Sequence, residues 1–420
     1  MMAFKKVTSL ILGLAFTQTC FAGPTVHIDG FLTAAGGVMD ADQVYGQLIN
    51  AAGTQVRANL GLSPVFYPLA PIHPEMFNYN SKPEYQQDSI LALQGNVDFN
   101  EKFGMTVQMV AKGAKQWQIE AEWAFLSYRM NDNIRFKVGR MRQPLFMMSE
   151  SLEVGYTYPW VRPPLEVYQI LTESNSSGGA MEYRTSVWNQ EFEALLTYSS
   201  IDDPFSNPLG PGFNLSGQII RHRQTLLGKF IFGNENKKLH LSYSESAITI
   251  EPIGQLTRLA QIYGALFNPN AFSDWDVTGT KANFFSVGTI VDHSNWVVMG
   301  EWVKRTSNQA AITEQKGYFG TLGYRFGNFL PHFTYSNLKT TDKNRRSYSG
   351  TFGQFLNPIY SLLNQDQETY ILGLRYDVMT GVDIKLQAEN IKALHGTNGL
   401  FNINPGKAVN LYTLALDMVF

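Results

Sequence analysis

The chain is almost free of cysteine. Its 420 residues include one, Cys20, which lies in an N-terminal segment that has the features of a secretory signal. Two lysines precede an apolar run at residues 7–16, and a run of about ten residues is too short to span a bilayer. Small residues follow, so we expect cleavage after Ala22 and removal of residues 1–22 as a signal peptide. The mature chain then has no disulfide to hold it together, and its closure must come from the fold.

Long apolar runs and charge are also scarce. No internal stretch reaches the roughly 18 apolar residues of a membrane-spanning helix, and the mean hydropathy of −0.16 is too polar for a helical membrane protein. Only 16% of the residues are charged and the net charge is −2. This composition gives no electrostatic case for a nucleic-acid partner.

Aromatic residues and period-two alternation are abundant instead. Aromatics make up 13% of the chain, and the last nine residues place apolar side chains at every second position: Tyr412, Leu414, Leu416, Met418 and Phe420. A period of two predicts an extended strand with one apolar face. An apolar strand at a terminus is an exposed edge that invites aggregation. A barrel closed within a membrane removes that edge.

The same pattern recurs along the chain. Predicted strands lie at residues 26–36, 90–99, 105–112, 119–129, 134–139, 179–184, 191–198, 223–232, 239–246, 281–291, 296–305, 318–326, 330–338, 369–378, 382–391 and 412–420. Short turns alternate with longer connections, which is typical of outer-membrane barrels. We predict an all-β fold, a single transmembrane antiparallel up-and-down β-barrel of about 16 strands over residues 23–420. A pair of soluble β-sandwiches is the alternative, but it leaves each polar strand face without a role.

Two long connections stand out. Residues 38–88 contain five prolines, and we expect a large loop without regular strand there. Residues 143–177 are rich in aromatics and prolines, and we expect them to fold into the barrel as a constriction loop. A folded extracellular lid is the alternative.

The charges near the second connection suggest a pore constriction. We expect loop residues Glu150, Glu153, Arg162 and Glu166 to face a basic wall formed by Arg135, Lys137, Arg140 and Arg142. Opposed charges across a narrow point give a transverse field and a size limit. Charges of both signs at lumen-facing positions of other strands predict a wetted lumen rather than a dry plug.

Taken together, the signal peptide, the sixteen alternating strands, the long third loop and the terminal Phe420 resemble the outer-membrane porins of Gram-negative bacteria. The resemblance covers the whole mature chain. It implies an outer-membrane location among lipid and lipopolysaccharide, a homotrimer, and recognition of the strand Tyr412–Phe420 by the barrel-assembly machinery. One departure concerns the second loop, which latches onto a neighbouring subunit in many trimeric porins and is limited here to about residues 113–116.

The function expected from this resemblance is a general diffusion channel for small hydrophilic solutes. An anion-selective or solute-specific channel, for phosphate for example, is the alternative that the basic wall suggests. His240 and Ser242 share one strand face, and Glu150 with Glu153 could form a carboxylate pair, but no third catalytic member is identifiable. We therefore expect no enzyme activity, no cofactor and no metal. A surface adhesin stays open as a third possibility.

Overall fold

The computed structural model describes residues 23–40, 45–49, 55–59, 79–171, 175–204, 219–251, 277–309, 312–342, 363–401 and 404–420. The predicted signal peptide, residues 1–22, lies outside the described residues. None of the helices in these ranges is long and apolar enough to cross a bilayer.

The described residues contain sixteen long strands that close into one antiparallel barrel. They are β1 (Thr25–Met39), β4 (Ile90–Asp98), β5 (Phe103–Lys112), β6 (Ile119–Arg129), β7 (Ile134–Arg142), β8 (Asn175–Val187), β9 (Gln190–Pro204), β10 (Ile219–Asn234), β11 (Lys237–Glu251), β12 (Thr280–His293), β13 (Trp296–Ser307), β14 (Gln315–Tyr324), β15 (Phe329–Thr340), β16 (Gln367–Met379), β17 (Val382–Ala393) and β18 (Val409–Val419). Each barrel strand pairs with the next along the chain, and β1 pairs with β18. The predicted all-β closed barrel is confirmed.

Closure depends on the length of β1. Its residues 25–33 pair with β4, while its residues 31–39 pair with β18, which staggers the strands as a closed barrel requires. At the seam, the Phe420 amide donates to the Gly30 carbonyl at 2.9 Å and the Gly30 amide donates to the Phe420 carbonyl at 2.7 Å. A Cβ on Gly30 would lie 2.5 Å from the Phe420 ring. Glycine therefore lets the terminal ring pack across β1.

The strands alternate as the sequence predicts. In β18, Leu411, Ala415 and Asp417 are buried towards the lumen, whereas Tyr412 and Leu414 are about half exposed. The same alternation gives the barrel an apolar outer band, whose exposed members include Leu91, Leu93, Leu126, Val138, Leu196, Phe230, Leu241, Leu322, Phe333, Leu372 and Leu386. Exposed aromatics flank the band towards the short turns (Phe99, Phe103, Trp188, Trp296, Phe326, Phe329) and towards the long loops (Tyr198, Tyr243, Phe285, Tyr318, Tyr370). Such belts are typical of membrane barrels.

Several strands extend beyond the predicted bounds. For β8 the pattern predicts residues 179–184, whereas the strand runs from Asn175 to Val187. Asn, Ser and Gly at its start are poor strand formers. Pairing with β7 on one side and β9 on the other supplies their backbone hydrogen bonds.

The prediction that residues 38–88 contain no regular strand is wrong. Two short strands, β2 (Tyr45–Ile49) and β3 (Gln55–Asn59), pair as a hairpin within this connection. The prolines on which the prediction rested begin at Pro64, after β3 has ended. The preceding residues are free of proline and can form a ladder.

Candidate pore constriction

The connection between β7 and β8 runs inside the barrel. Its described part, residues 143–171, is called the constriction loop below. It contains two single 3₁₀ turns, Ser149–Ser151 and Gly155–Thr157, and one α-helical turn, α1 (Leu165–Tyr168). Prolines at 144, 159, 163 and 164 exclude a helix through residues 159–164, because proline cannot donate its backbone hydrogen bond. The predicted position of this loop in the lumen is confirmed.

A buried apolar cluster joins the loop to the barrel wall. Ten loop residues belong to it: Leu145, Phe146, Met147, Met148, Tyr158, Trp160, Leu165, Val167, Tyr168 and Ile170. The wall contributes Leu227, Phe284, Val297, Met299, Val303, Phe319, Leu330, Leu338, Ile391, Val409 and Leu411. The Trp160 ring meets Phe319 edge-on at 5.3 Å, and Phe146 meets Phe284 at 5.0 Å. Aromatic pairs of this kind add to the apolar burial.

This cluster overturns one expectation. The sequence pattern predicted a wetted lumen without a dry plug, yet the lumen is dry and packed where the loop meets β10 and β12–β15. On these strands the lumen-facing positions carry apolar residues such as Leu227 and Phe319 as well as polar ones. The charged residues that suggested water everywhere serve in part as anchors for the loop.

Glu166 anchors α1 to the wall. Its carboxylate is buried and accepts hydrogen bonds from Ser336 Oγ at 2.6 Å, from Gln367 Nε2 at 2.6 Å and from the Thr369 hydroxyl. The sequence predicted that Glu166 faces the basic wall. Three neutral donors on β15 and β16 hold it instead, and hydrogen bonds of this kind satisfy a buried carboxylate.

Arg162 anchors the middle of the loop. Its guanidinium donates to Asp88 Oδ2 at 2.6 Å and to the Glu389 carboxylate, and it stacks 5.2 Å from the Tyr79 ring centroid. Burial disfavours its charge, but Glu389 and Asp88 raise the pKa of Arg162 above its usual value. The loop is thereby fixed to β17 and to the segment before β4.

Glu301 on β13 holds the loop at a third point. Its carboxylate accepts from the Met147 amide at 2.8 Å, from the Tyr168 hydroxyl at 2.8 Å and from Ser286 Oγ at 2.6 Å. The sequence analysis missed this residue. It could have been recognised as an acid at a lumen-facing position between Met299 and Val303, since a lone charge in an apolar stretch needs partners.

Two cations hold the second 3₁₀ turn. Lys385 Nζ donates to the Gly155 carbonyl at 2.6 Å, and Arg375 donates to the Tyr156 carbonyl at 2.7 Å. Lys385 also pairs with Asp417 at 2.8 Å. A Cβ on Gly155 would lie 2.0 Å from Asp417 Oδ1. Only glycine allows the turn to approach β18 so closely.

Glu153 joins a buried ion cluster. Its carboxylate lies 2.7 Å from Arg142 Nη2 and 2.8 Å from Lys112 Nζ, and Glu122 contacts the same two cations at 3.0 and 2.9 Å. Burial favours the neutral form of Glu153, but Lys112 and Arg142 hold its pKa below the usual range. Among the described residues, this is the one ion pair between a predicted loop acid and the predicted basic wall.

Glu150 lies at the edge of the loop and is about half exposed. Its carboxylate pairs with Lys229 Nζ on β10 at 3.2 Å. Its surroundings raise the pKa through desolvation, but Lys229 and, more weakly, Lys137 and Arg184 lower it below the usual value. Glu150 is therefore a charged carboxylate at neutral pH.

The predicted basic wall is divided between the two faces of the barrel. Lys137 points into the lumen and pairs with Glu182 on β8, and Arg135 stands opposite Glu182 in the register of the two strands. Both cations therefore have an acid as their neighbour. This neutralises much of the positive field that the sequence suggested.

Arg140 has a different orientation. It stands opposite Ala124 on β6 and Ser177 on β8, both exposed on the outer face, and its Nε donates to the Ala121 carbonyl at 2.8 Å. Alternation explains this, because residues 135 and 137 share one face and residue 140 falls on the other. Arg142 turns inwards at the strand end to reach Glu122 and Glu153.

A cavity of about 50 Å³ lies between the constriction loop and the wall of β6–β9. It is lined by Trp123, Phe125, Lys137, Met141, Arg142, Gln143, Pro144, Glu150, Ser176, Ala180, Glu182, Leu195, Thr197 and Ser199. Trp123 Nε1 and Thr197 Oγ1 are buried and make no hydrogen bond within the described part of the chain. The loop therefore packs most extensively on one side of the lumen and leaves a small cavity of mixed polar and apolar lining on the other.

Several solved structures have an architecture similar to that of this chain. The OmpF protein of Salmonella typhi is 12% identical over 95% of this chain and 98% of its own, with a TM-score of 0.53. The outer membrane channel DcaP of Acinetobacter baumannii is 12% identical over 97% and 100%, with a TM-score of 0.52. The anion-selective porin of Comamonas acidovorans is 10% identical over 94% and 100%, with a TM-score of 0.52. No family model and no curated protein matches the chain.

The fold is that of an outer-membrane porin. At these identities the likeness concerns the architecture alone, and the resemblance inferred from the sequence is confirmed at that level. Substrate and selectivity have to be argued from the residues of this chain.

His240 and Ser242, the pair considered for catalysis, lie where the barrel meets the constriction loop. His240 and Ser242 are both buried on the lumen face of β11, as the alternation predicted. The Ser242 hydroxyl donates to the Leu145 carbonyl, so it holds the loop rather than an attacking position. Within the described ranges, no group of three or more His, Cys, Asp or Glu side chains is arranged to hold a metal ion.

Proposed function

We propose that this chain is an outer-membrane porin, a channel for passive diffusion of small hydrophilic solutes and ions. The observation that carries the proposal is the closed sixteen-stranded barrel with a charged cavity between the constriction loop and the β6–β9 wall. Because most loop contacts are with β10–β18, and Glu153 reaches β5 and β7, solutes would cross beside the wall of β6–β9. The channel would be narrower than an open sixteen-stranded barrel.

The lining of this path supports weak ion selectivity. Lys137 and Arg142 provide two positive charges, and Glu150 and Glu182 provide two negative charges. Balanced charges favour a general channel over the anion-specific alternative. Of the eight residues expected at the constriction, Lys137, Arg142 and Glu150 border the path, and Glu153, Arg162 and Glu166 hold the loop in place.

Location and assembly follow from the same proposal. The chain would be exported through cleavage of residues 1–22 and inserted by the barrel-assembly machinery, which would read Tyr412, Leu414, Leu416, Met418 and Phe420. A homotrimer is proposed by analogy with the family it resembles. The second loop is too short for a latch, since only residues 113–118 separate β5 from β6. The first loop is the alternative contact.

Conductance of the purified protein in a planar bilayer tests the channel. We expect stepwise conductance, in groups of three if the protein is a trimer, and small reversal potentials in a salt gradient. A reversal potential that indicates strong selectivity for anions would favour the anion-specific channel. No conductance from a barrel that is intact by circular dichroism would refute the proposal.

A matched pair of variants tests the path. Glu150→Gln removes a negative charge from the cavity edge and should shift selectivity towards anions. Lys137→Gln removes a positive charge from the facing wall and should shift it towards cations. If neither variant changes the reversal potential, ions do not pass between the loop and the β6–β9 wall.

A further inference from the structure

The cavity beside the constriction loop lies on a part of the wall that has few side chains. In one row across the strands, Phe125 on β6 stands opposite Gly139 on β7, which stands opposite Gly178 on β8, which stands opposite Ser199 on β9. Phe125 and Ser199 both line the cavity. The two glycines between them leave a gap in the row, which makes this part of the wall concave.

The size of the cavity limits what can occupy it. Its volume is about 50 Å³, and one water needs about 10–15 Å³ on this measure. The cavity therefore has room for roughly three to five waters, or for one solute of the same total volume. A molecule of about three or four carbons has this size, whereas a hexose is larger.

The charges that line the cavity already have partners. Lys137 pairs with Glu182 across β7 and β8, and Glu150 pairs with Lys229 at 3.2 Å. Arg142 Nη2 lies 2.7 Å from a carboxylate oxygen of the constriction loop. An ionic solute would have to compete with these pairs, so the lining favours a solute without charge.

Two polar groups of the lining have no hydrogen-bond partner among the residues that the structure describes. They are Trp123 Nε1 and Thr197 Oγ1. An indole N–H can only donate, whereas a hydroxyl can both donate and accept. Because a buried polar group without a partner is destabilising, a solute oxygen that reached these groups would be bound favourably. Both atoms are covered by neighbouring side chains, so binding requires a small rotation of Trp123 or Thr197 towards the cavity.

Apolar side chains supply much of the remaining lining, among them Phe125, Pro144 and Leu195. The Trp123 and Phe125 rings lie on the same face of β6 with their centroids 6.3 Å apart. Sites for small molecules commonly combine such an apolar wall with a few placed polar groups. A short carbon chain with several hydroxyl groups meets both requirements, because its C–H groups pack on the rings and its hydroxyl groups supply donors and acceptors.

We propose that this cavity is a binding subsite for small neutral polyols, with Trp123 and Thr197 as the residues that recognise them. One hydroxyl oxygen would accept from Trp123 Nε1, and a second hydroxyl would share a hydrogen bond with Thr197 Oγ1. A further hydroxyl would donate to the Glu182 carboxylate, and the carbon chain would lie against Phe125. The inference rests on the proposed function, since that function brings solutes to this wall, and it adds a preferred class of solute.

Nuclear magnetic resonance of the folded protein in detergent micelles tests the subsite. The chain has seven tryptophans, and isotope labelling of their indole nitrogens gives each an N–H signal. The variant W123F identifies the Trp123 signal by its loss. The probes are erythritol, butanediol, which has the same carbon chain with fewer hydroxyl groups, and glucose, which is larger.

A matched pair of variants removes one hydroxyl each. T197V removes the hydroxyl that lines the cavity and keeps the shape of the side chain. T413V is the control, because Thr413 Oγ1 is also buried without a hydrogen bond in the described part of the chain, but it lies on β18, away from the cavity. Heat-resistant migration on gels shows that each variant is folded.

We expect erythritol to shift the Trp123 signal until the site is saturated, and butanediol and glucose to bind more weakly. T197V should bind erythritol about two- to tenfold more weakly, which is the range for one neutral hydrogen bond, and T413V should bind it as the unaltered protein does. No saturable shift with erythritol, equal binding of butanediol, or equal affinities in T197V and T413V would overturn the subsite. Conductance is measured on the same samples. A conducting protein without the shift refutes the subsite alone, and absence of conductance refutes the channel whether or not the shift is seen.

Discussion

Replacing Arg162 with Met should release the middle of the constriction loop. Arg162 is 8% exposed, and its guanidinium pairs with Asp88, which is 13% exposed, and with Glu389, which is 4% exposed. Methionine keeps an unbranched side chain that can lie against the Tyr79 ring while removing the charge. Glu389 then stays in the barrel wall without its cation.

The expected magnitude follows from the burial of the pair. Removing one partner of a buried ion pair costs about 3–5 kcal/mol, because the other charge is left uncompensated. At about 1.4 kcal/mol for each factor of ten, the ratio of docked to released loop falls by a factor of between about a hundred and several thousand. The apolar cluster around Trp160 opposes release, so we expect increased opening of the loop inside an intact barrel.

Two measurements follow the loop. Hydrogen exchange of the amides in residues 143–171 should accelerate in Arg162→Met, and single-channel conductance should rise or become noisier as the lumen widens. The double variant R162M/E389Q also neutralises the Glu389 carboxylate, which has lost its cation. It should restore much of the protection of the loop amides against hydrogen exchange. Lys392→Met breaks an exposed pair on the outer face and should change loop exchange by little, since such pairs contribute about 0–1 kcal/mol.

Two results would refute this reasoning. Unchanged exchange in Arg162→Met would mean that the Arg162 ion pairs are not needed to hold the loop. Equal acceleration in the single and double variants would mean that the buried charge of Glu389 is not the cause. In either case the anchor would have to be sought at the other wall contacts.

Three further predictions concern the turn at Gly155, the acid stability of the loop and the C-terminal strand. Gly155→Ala would place a methyl group against the Asp417 carboxylate. It should lower the free energy of unfolding by about 1–3 kcal/mol, measured by denaturation followed on gels. Gly320→Ala, whose Cβ would meet no atom within 4 Å, should have little effect. The lowered pKa of Glu153 means that its contribution to loop docking is complete above the ordinary carboxyl value of 4.5 and is lost only as pH falls below it. The acid transition of loop exchange should therefore differ between the unaltered protein and Glu153→Gln, and identical transitions would contradict this assignment. Phe420→Ala should reduce the amount of assembled barrel in the outer membrane, measured as heat-modifiable protein, and an undiminished amount would show that the terminal ring is not read during assembly.

The barrel was predictable from the sequence because one physical rule acts on each strand. A strand with one face in lipid must alternate, and β18 shows the rule to the last residue. Predicted bounds failed where alternation stops but pairing continues, as at Asn175–Val187. Backbone hydrogen bonding, which every residue except proline can supply in full, extends these strands beyond the apolar band.

The contacts inside the barrel were less predictable. The sequence placed Glu150, Glu153, Arg162 and Glu166 on the correct loop, but it could not give their partners, which come from strands distant in the chain. Arg162 meets Glu389, 227 residues away. Spacing in the sequence predicts which face a side chain takes, and applied to β7 it would have separated Arg140 from Arg135 and Lys137. The pairing across the lumen depends instead on the three-dimensional path of the loop.

The distribution of apolar residues inside the barrel explains why a loop can fill one side and leave the other polar. Leu227, Phe284 and Phe319 lie on strands β10, β12 and β14, and they belong to the buried cluster that includes ten residues of the loop. Removing the loop would expose them to the lumen, at about 25 cal/mol for each Å² of apolar surface. The β6–β9 wall instead offers Lys137 and Glu182, which are satisfied by each other without the loop. The loop is thus held to the side where its removal costs most, and the opposite side is the one that we propose for solute passage.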